Sequence, residues 1–119
     1  MVRGIRGATT VKANEKPLIN EAVRELLSEI EAVNGLKKED VAAAIFSSTP
    51  DLNAAFPATG ARLYGWDMVP LFGTVEMEIA TGVPYCIRVL ILWNTEIPPA
   101  GIKHVYLHQA AELRRDIIK

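Results

Sequence analysis

Val41-Ala-Ala-Ala-Ile-Phe-Ser-Ser48 follows directly on the polar Lys37-Lys38-Glu39-Asp40 and carries no charge of its own. A short, almost continuously apolar run bounded by charges on one side and by Thr49-Pro50-Asp51 on the other reads as a buried strand covered on both faces. On its N-terminal side, Leu18, Ala22, Leu26 and Ile30, with Ile19, Val23 and Leu27, recur at helical spacing, and Glu21, Arg24, Glu25, Ser28 and Glu29 fall between them. That pattern predicts a long amphipathic helix over 14–33. Asn14 is its expected cap, Pro17 fits only its first turn, and Asn34-Gly35 supplies a left-handed stop. Residues 2–11, with β-branched side chains and two glycines, read as an opening strand. Arg3 and Arg6 have opposite parity there, so at most one of them faces a shared site.

On the C-terminal side, Phe56 to Tyr64 predicts a short helix started by Pro57 and closed by Gly65. Met68 to Phe72, Cys86 to Asn94 and His104 to Leu107 are the remaining strand candidates, with a helical tail after the last. Strands alternating with one long and one short helix make an α/β or α+β protein. A ferredoxin-like mixed sheet with helices on one face is the expected form. With 119 residues and no linker or repeat, the chain is expected to form one domain over 1–119.

Thirteen Lys and Arg against fourteen Asp and Glu leave a net charge of −1. No global positive field exists to hold phosphate backbones, so nucleic acid is not an expected partner. The apolar stretches are far shorter than a membrane span, and the N-terminus leads into no signal-type segment. A cytoplasmic location is the expectation. The single cysteine, Cys86, allows no internal disulfide and reads as a buried, inert thiol. The composition is 50% hydrophobic with a mean hydropathy of +0.15. That is more apolar surface than a small monomer hides comfortably, which suggests that further copies of the chain cover part of it.

The six lysines fall in expected loops, helix ends or the terminus, whereas Arg6 and Arg88 lie inside apolar strand-like runs. Arginine is the cation that tolerates such places, because its charge is delocalised and its fork meets a carboxylate with two bonds. In Ile87-Arg88-Val89-Leu90-Ile91-Leu92 the arginine shares a strand face with Cys86, Leu90 and Leu92 and needs an anionic partner. An internal pair with Glu76 or Glu78 satisfies that need, and so does an anionic ligand. Thr74, Glu76 and Glu78 alternate onto one side, which a solvated strand face explains as well as a site does. His104 and His108 have no carboxylate ligand near them in sequence, Ser47 and Ser48 sit in no nucleophile elbow, and Gly4 and Gly7 make no phosphate-cradling loop. Arginines, one or two carboxylates, tyrosine and apolar walls remain. That inventory describes a pocket for a small anion, with dicarboxylates among the candidates.

Eight strings carry a more specific signal: Arg3-Gly-Ile-Arg-Gly-Ala-Thr-Thr-Val11, Ser48-Thr-Pro-Asp-Leu52, Ala55-Phe-Pro-Ala58, Gly65-Trp66, Val69-Pro70, Glu76-Met77, Cys86-Ile-Arg-Val89 and His104-Val-Tyr-Leu107. In this order, from residue 3 to about residue 116, the chain resembles the small, trimeric, monofunctional chorismate mutases of the Bacillus type. The resemblance implies a homotrimer built as a pseudo-α/β barrel, with active sites in the clefts between subunits. It implies chorismate as substrate and prephenate as product of a Claisen rearrangement, which calls for no cofactor, metal or nucleophile.

Carried over by motif, Arg88 meets the ether oxygen and Glu76 accepts a hydrogen bond from the substrate hydroxyl. Arg6 and Tyr106 hold a carboxylate, and the Phe72-Gly73-Thr74-Val75 backbone lines the cleft. Phe56, Ala58 and Leu113 supply apolar wall, and Arg62 and Arg114 face the second carboxylate from a neighbouring subunit or the tail. Thr59 stands where relatives carry lysine, and Gly73 where they carry cysteine. The same inventory also suits a non-catalytic ligand-binding trimer or a trimeric enzyme acting on imines, and Glu76 with Tyr106 separates the mutase from a plain carboxylate binder.

Overall fold

The computed structural model describes residues 1–113. Five strands form one sheet: β1 (Val2–Thr10), β2 (Val41–Ser48), β3 (Leu71–Val75), β4 (Cys86–Asn94) and β5 (Val105–Tyr106), in the order β3-β2-β4-β1-β5. β4 runs antiparallel between β1 and β2, while β3 is parallel to β2 and β5 parallel to β1. The connection from β1 through a helix to β2 is therefore a split βαβ unit, the element shared with ferredoxin-like mixed sheets.

The helices α1 (Lys16–Asn34) and α2 (Pro57–Tyr64) both cover the same face. Ile19, Val23, Leu26, Leu27 and Ile30 of α1 are fully buried against Ile5, Phe46, Ile87 and Ile91 of the sheet, and Trp66 closes the core beyond α2. Two glycines permit this closeness. A Cβ on Gly7 would meet Ile30 Cδ1 at 2.8 Å and Val89 Cγ1 at 3.0 Å, and one on Gly60 would meet Val23 Cβ at 3.1 Å and Asn20 Cα at 3.2 Å. Gly35 ends α1 in the left-handed conformation (φ 64°), as its sequence suggested.

Four expectations are corrected. Asn14 does not cap α1; Glu15 holds the cap position without a side-chain bond. Asn14 Oδ1 instead accepts from the Asn53 and Ala54 backbone N–H groups, fastening the loop before α2 to the start of α1. The third strand is Leu71–Val75 rather than Met68 to Phe72, because Pro70 offers only its carbonyl, to Ala44, and the chain ahead of it is turned by a bond from Val69 N–H to the Trp66 carbonyl. Glu76 lies past the end of β3, and Glu78 belongs to the irregular segment that follows. Finally, β2 is covered on one face only, since no helix among the described residues packs on the side that carries Ala43, Ile45 and Ser47.

Candidate active site

Strand register builds the site on that uncovered face. Ser47 pairs with Thr74 on one side and Arg88 on the other, Ala8 pairs with Arg88, and Tyr106 with Ala8. One lateral row across all five strands thus reads Thr74, Ser47, Arg88, Ala8, Tyr106. The adjacent row places Phe72, Ile45, Leu90 and Arg6 side by side. Arg6 is on this face and Arg3 is not, as parity required; Arg3 Nε donates to the Ile97 carbonyl elsewhere. The small residue Ala8 stands between Arg88 and Tyr106 in this row and is itself buried.

An open cleft of about 580 Å³ lies over these rows, lined by Arg6, Ala8, Ile45, Ser47, Glu76, Arg88, Leu90, Tyr106 and Leu113, with Thr74 and Val75 at its edge. Arg88 is not buried within one chain: its side chain is 47% exposed, against 25% for Glu76. The charge that the sequence left in need of a partner points into this cleft. Its Nε stands 3.8 Å from Glu76 Oε1, too far for a hydrogen bond. That oxygen accepts from the Ser47 hydroxyl, and the Glu76 backbone N–H donates to the Ser48 carbonyl at 2.9 Å. Ser47, set aside in the sequence because it sits in no nucleophile motif, is the site residue that pattern reasoning missed. Nothing in a serine near a strand end signals a carboxylate partner 29 residues away.

The start of β4 is clamped in several ways. Thr49 Oγ1 accepts from the Cys86 N–H at 3.0 Å, Thr49 N–H donates to the Cys86 carbonyl at 3.0 Å, and Asp51 Oδ2 accepts from the Tyr85 N–H at 3.0 Å. Tyr85 itself takes the left-handed conformation (φ 49°), unusual for a tyrosine and held here by these bonds. The Thr49-Pro50-Asp51 string thereby fixes the strand that delivers Arg88. Cys86 is buried, as expected. Burial pushes its thiol above the ordinary cysteine value, with Arg88 opposing in part, so it stays protonated at neutral pH. At the far edge, the Arg6 N–H donates to His104 Nδ1 at 2.9 Å, extending the β1–β5 contact.

The other predicted residues lie apart. Phe56, Ala58, Thr59, Arg62 and Gly73 line a second cleft of about 870 Å³ at the sheet edge, and only Thr74 and Val75 border both clefts. Arg62 donates to Thr59 Oγ1 at 3.3 Å, so the threonine steadies a guanidinium. A Cβ at Gly73 would meet nothing within 4 Å, so the glycine there answers no packing demand. Phe72, 66% exposed on the edge strand, lines neither of these two clefts. Arg114 lies outside the described residues.

No helix among the described residues is long and apolar enough to cross a membrane. The family profile described as chorismate mutase type I matches residues 2–117. The chain is 47% identical to chorismate mutase AroH of Thermus thermophilus over 98% of its own length and 97% of that protein's. It is 43% identical to chorismate mutase AroH of Bacillus subtilis (strain 168), over 98% and 93%. Among solved structures, a chorismate mutase from Clostridium thermocellum superposes with a TM-score of 0.90 at 41% identity, covering 92% of this chain and 98% of that one. A match over nearly the whole chain, on the fold and the sequence together, places this protein in the type I chorismate mutase family.

Proposed function

We propose that chorismate rearranges to prephenate in the cleft over the uncovered face of the sheet, between Arg88 and Glu76. The reaction is unimolecular. The ether C–O bond breaks as a C–C bond forms, and no proton changes hands. Negative charge grows on the ether oxygen as its bond stretches, and the Arg88 guanidinium stabilises that oxygen more in the transition state than in the ground state. Glu76 accepts a hydrogen bond from the substrate hydroxyl while the ring carbons become electron-poor. Arg6 and Tyr106 hold one carboxylate, so that the enolpyruvyl arm stays folded over the ring. A millionfold acceleration asks for about 8 kcal/mol from these effects together.

The second cleft completes the site when another copy of the chain presents it. Edge strand β3 carries exposed Phe72 and Val75, Phe56 lies beside it at 76% exposure, and Met77 follows at 80%. A homotrimer in which this edge meets the neighbour's open face would bring Phe56, Ala58 and Arg62 of one subunit over Arg88 of the next, with Arg62 and Arg114 facing the second carboxylate. It would also cover the apolar surface that the composition left in excess. In this reading residues 1–119 form one cytoplasmic catalytic domain that works without a cofactor.

The observation that carries the proposal is an arginine and a carboxylate lining one cleft, 3.8 Å apart and beyond hydrogen-bond distance. The test is the loss of chorismate ultraviolet absorbance with purified protein in chelator-containing buffer, run beside Arg88→Ala. Rapid loss that the substitution abolishes is expected. Loss at the spontaneous rate from an intact protein, or an Arg88→Ala variant as fast as the parent, overturns the assignment. A light-scattering mass of one chain would overturn the trimer.

A further inference from the structure

Opposite charges at the end of flexible side chains close on each other when nothing holds them apart, and a guanidinium meets a carboxylate best through two bonds of about 2.7–2.9 Å. Arg88 and Glu76 do not do this. Their nearest approach is 3.8 Å, although both open onto the same cleft. The group that competes with Arg88 for this carboxylate is Ser47. It stands directly beside Arg88 in the β2–β4 register and beside Thr74 in the β2–β3 register. Its hydroxyl donates to Glu76 Oε1, the same oxygen that faces Arg88. The next residue, Ser48, accepts the Glu76 backbone N–H. Glu76 is thus tied to β2 at two points at the place where β3 has ended and the irregular stretch toward Pro84 begins.

We infer that Ser47 is a positioning residue for this reaction: its hydroxyl holds the Glu76 carboxylate off Arg88, leaving the guanidinium free for the ether oxygen and Glu76 Oε2 free for the substrate hydroxyl. Without that bond the carboxylate collapses onto the arginine, and one event cancels both the cation and the acceptor. This rests on the reading of Arg88 and Glu76 given under the proposed function.

The experiment is a double-mutant cycle on the full-length protein, with Ser47→Ala, Glu76→Ala and the double variant, and with Ser47→Thr as the conservative replacement. For Ser47→Ala, kcat is expected to fall about tenfold, the scale of one hydrogen bond to a charged group, with KM little changed and the thermal midpoint kept. Ser47→Thr, which retains a hydroxyl, should recover most of the rate. In the Glu76→Ala background, Ser47→Ala should cost nothing further, because a residue acting through Glu76 has nothing left to hold. Additive losses, or failure of threonine to rescue, would overturn the inference and give Ser47 a contact or a packing role of its own. A Glu76→Ala protein as fast as the parent would instead overturn the reading of Glu76 itself, a result separable from the first.

Discussion

The two faces of the sheet are made by alternate residues of the same strands, yet they obey different rules. Along β4, Ile87, Val89, Ile91 and Trp93 face the helices and are buried, while Arg88, Leu90 and Leu92 face the other way and stay wholly or partly exposed. On the covered face the Glu31 carboxylate is closed by two donors. Glu31 accepts from the Tyr64 hydroxyl with one oxygen and from Trp66 Nε1, at 3.1 Å, with the other. On the open face Glu76 also accepts from a hydroxyl, but its second oxygen has no partner among the described residues, and a cation waits beside it. A satisfied carboxylate stiffens a fold, whereas a half-satisfied one beside a loosely paired, half-exposed guanidinium is available for chemistry.

The sharpest way to break this contrast is to alter adjacent residues of one strand. Arg88→Lys should lower kcat by about a hundredfold or more, because a lysine cannot reproduce the planar, placed charge, with the thermal midpoint nearly unchanged. Val89→Ala should do the reverse, costing about 2 kcal/mol in denaturant unfolding with kcat largely kept. A lysine variant of near-parental rate would remove the distinction. Next in size is Gly60→Ala. The added methyl has only Val23 and the Asn20 backbone to push against, so α2 must shift at a cost of about 1–3 kcal/mol. Since α2 carries Arg62, KM for chorismate should rise more than kcat falls, as steady-state kinetics would show.

A smaller effect concerns pH. Burial raises the Tyr64 phenol above its ordinary value, and its hydrogen bond to Glu31 adds to this, against a weaker lowering by Ser28. The folded state therefore keeps this proton longer than the unfolded chain does. Its contribution to stability is complete below about pH 10 and is lost as pH rises beyond it. Thermal midpoints should fall more steeply above about pH 10 in the parent than in Tyr64→Phe. The smallest expected change is Thr9→Val. The Thr9 hydroxyl is fully buried without a partner, so valine should be neutral or should stabilise by up to about 1 kcal/mol in urea titration.

These contrasts also mark what local sequence discloses. Helix α1 and strands β2 and β4 were legible because their apolar periods span many residues and survive any environment. β3 was misplaced by three residues, because an exposed edge strand buries too little to leave a pattern. The parity of Arg3 and Arg6 allowed only one of them to face the cleft, and the structure shows that it is Arg6; the apolar setting of Arg88 marked it as unusual. Neither revealed that Thr74, Ser47, Arg88 and Tyr106 share a row, since that row is written in register between strands far apart in sequence. The grouping of Arg6, Glu76, Arg88 and Tyr106 came from the family resemblance. Ser47 belonged to neither signal, and only the folded geometry shows its bond to Glu76.

The place of β4 between β1 and β2 has a consequence for how the molecule comes into being. Val2 pairs with Asn94, a separation of 94 − 2 = 92 residues, and no other long strand lies beside β1. While residues 1–85 emerge from the ribosome, β2 and β3 can already pair and α1 can meet α2, but β1 must wait for its long partner. Arg6 and Arg88 come to line one cleft only when the last long strand slides into its slot, so no partial cleft forms early. Such distant closure slows folding, and until it happens two apolar strand edges stand open to other chains. The assembly of this catalyst is therefore most vulnerable in the moments before β4 inserts.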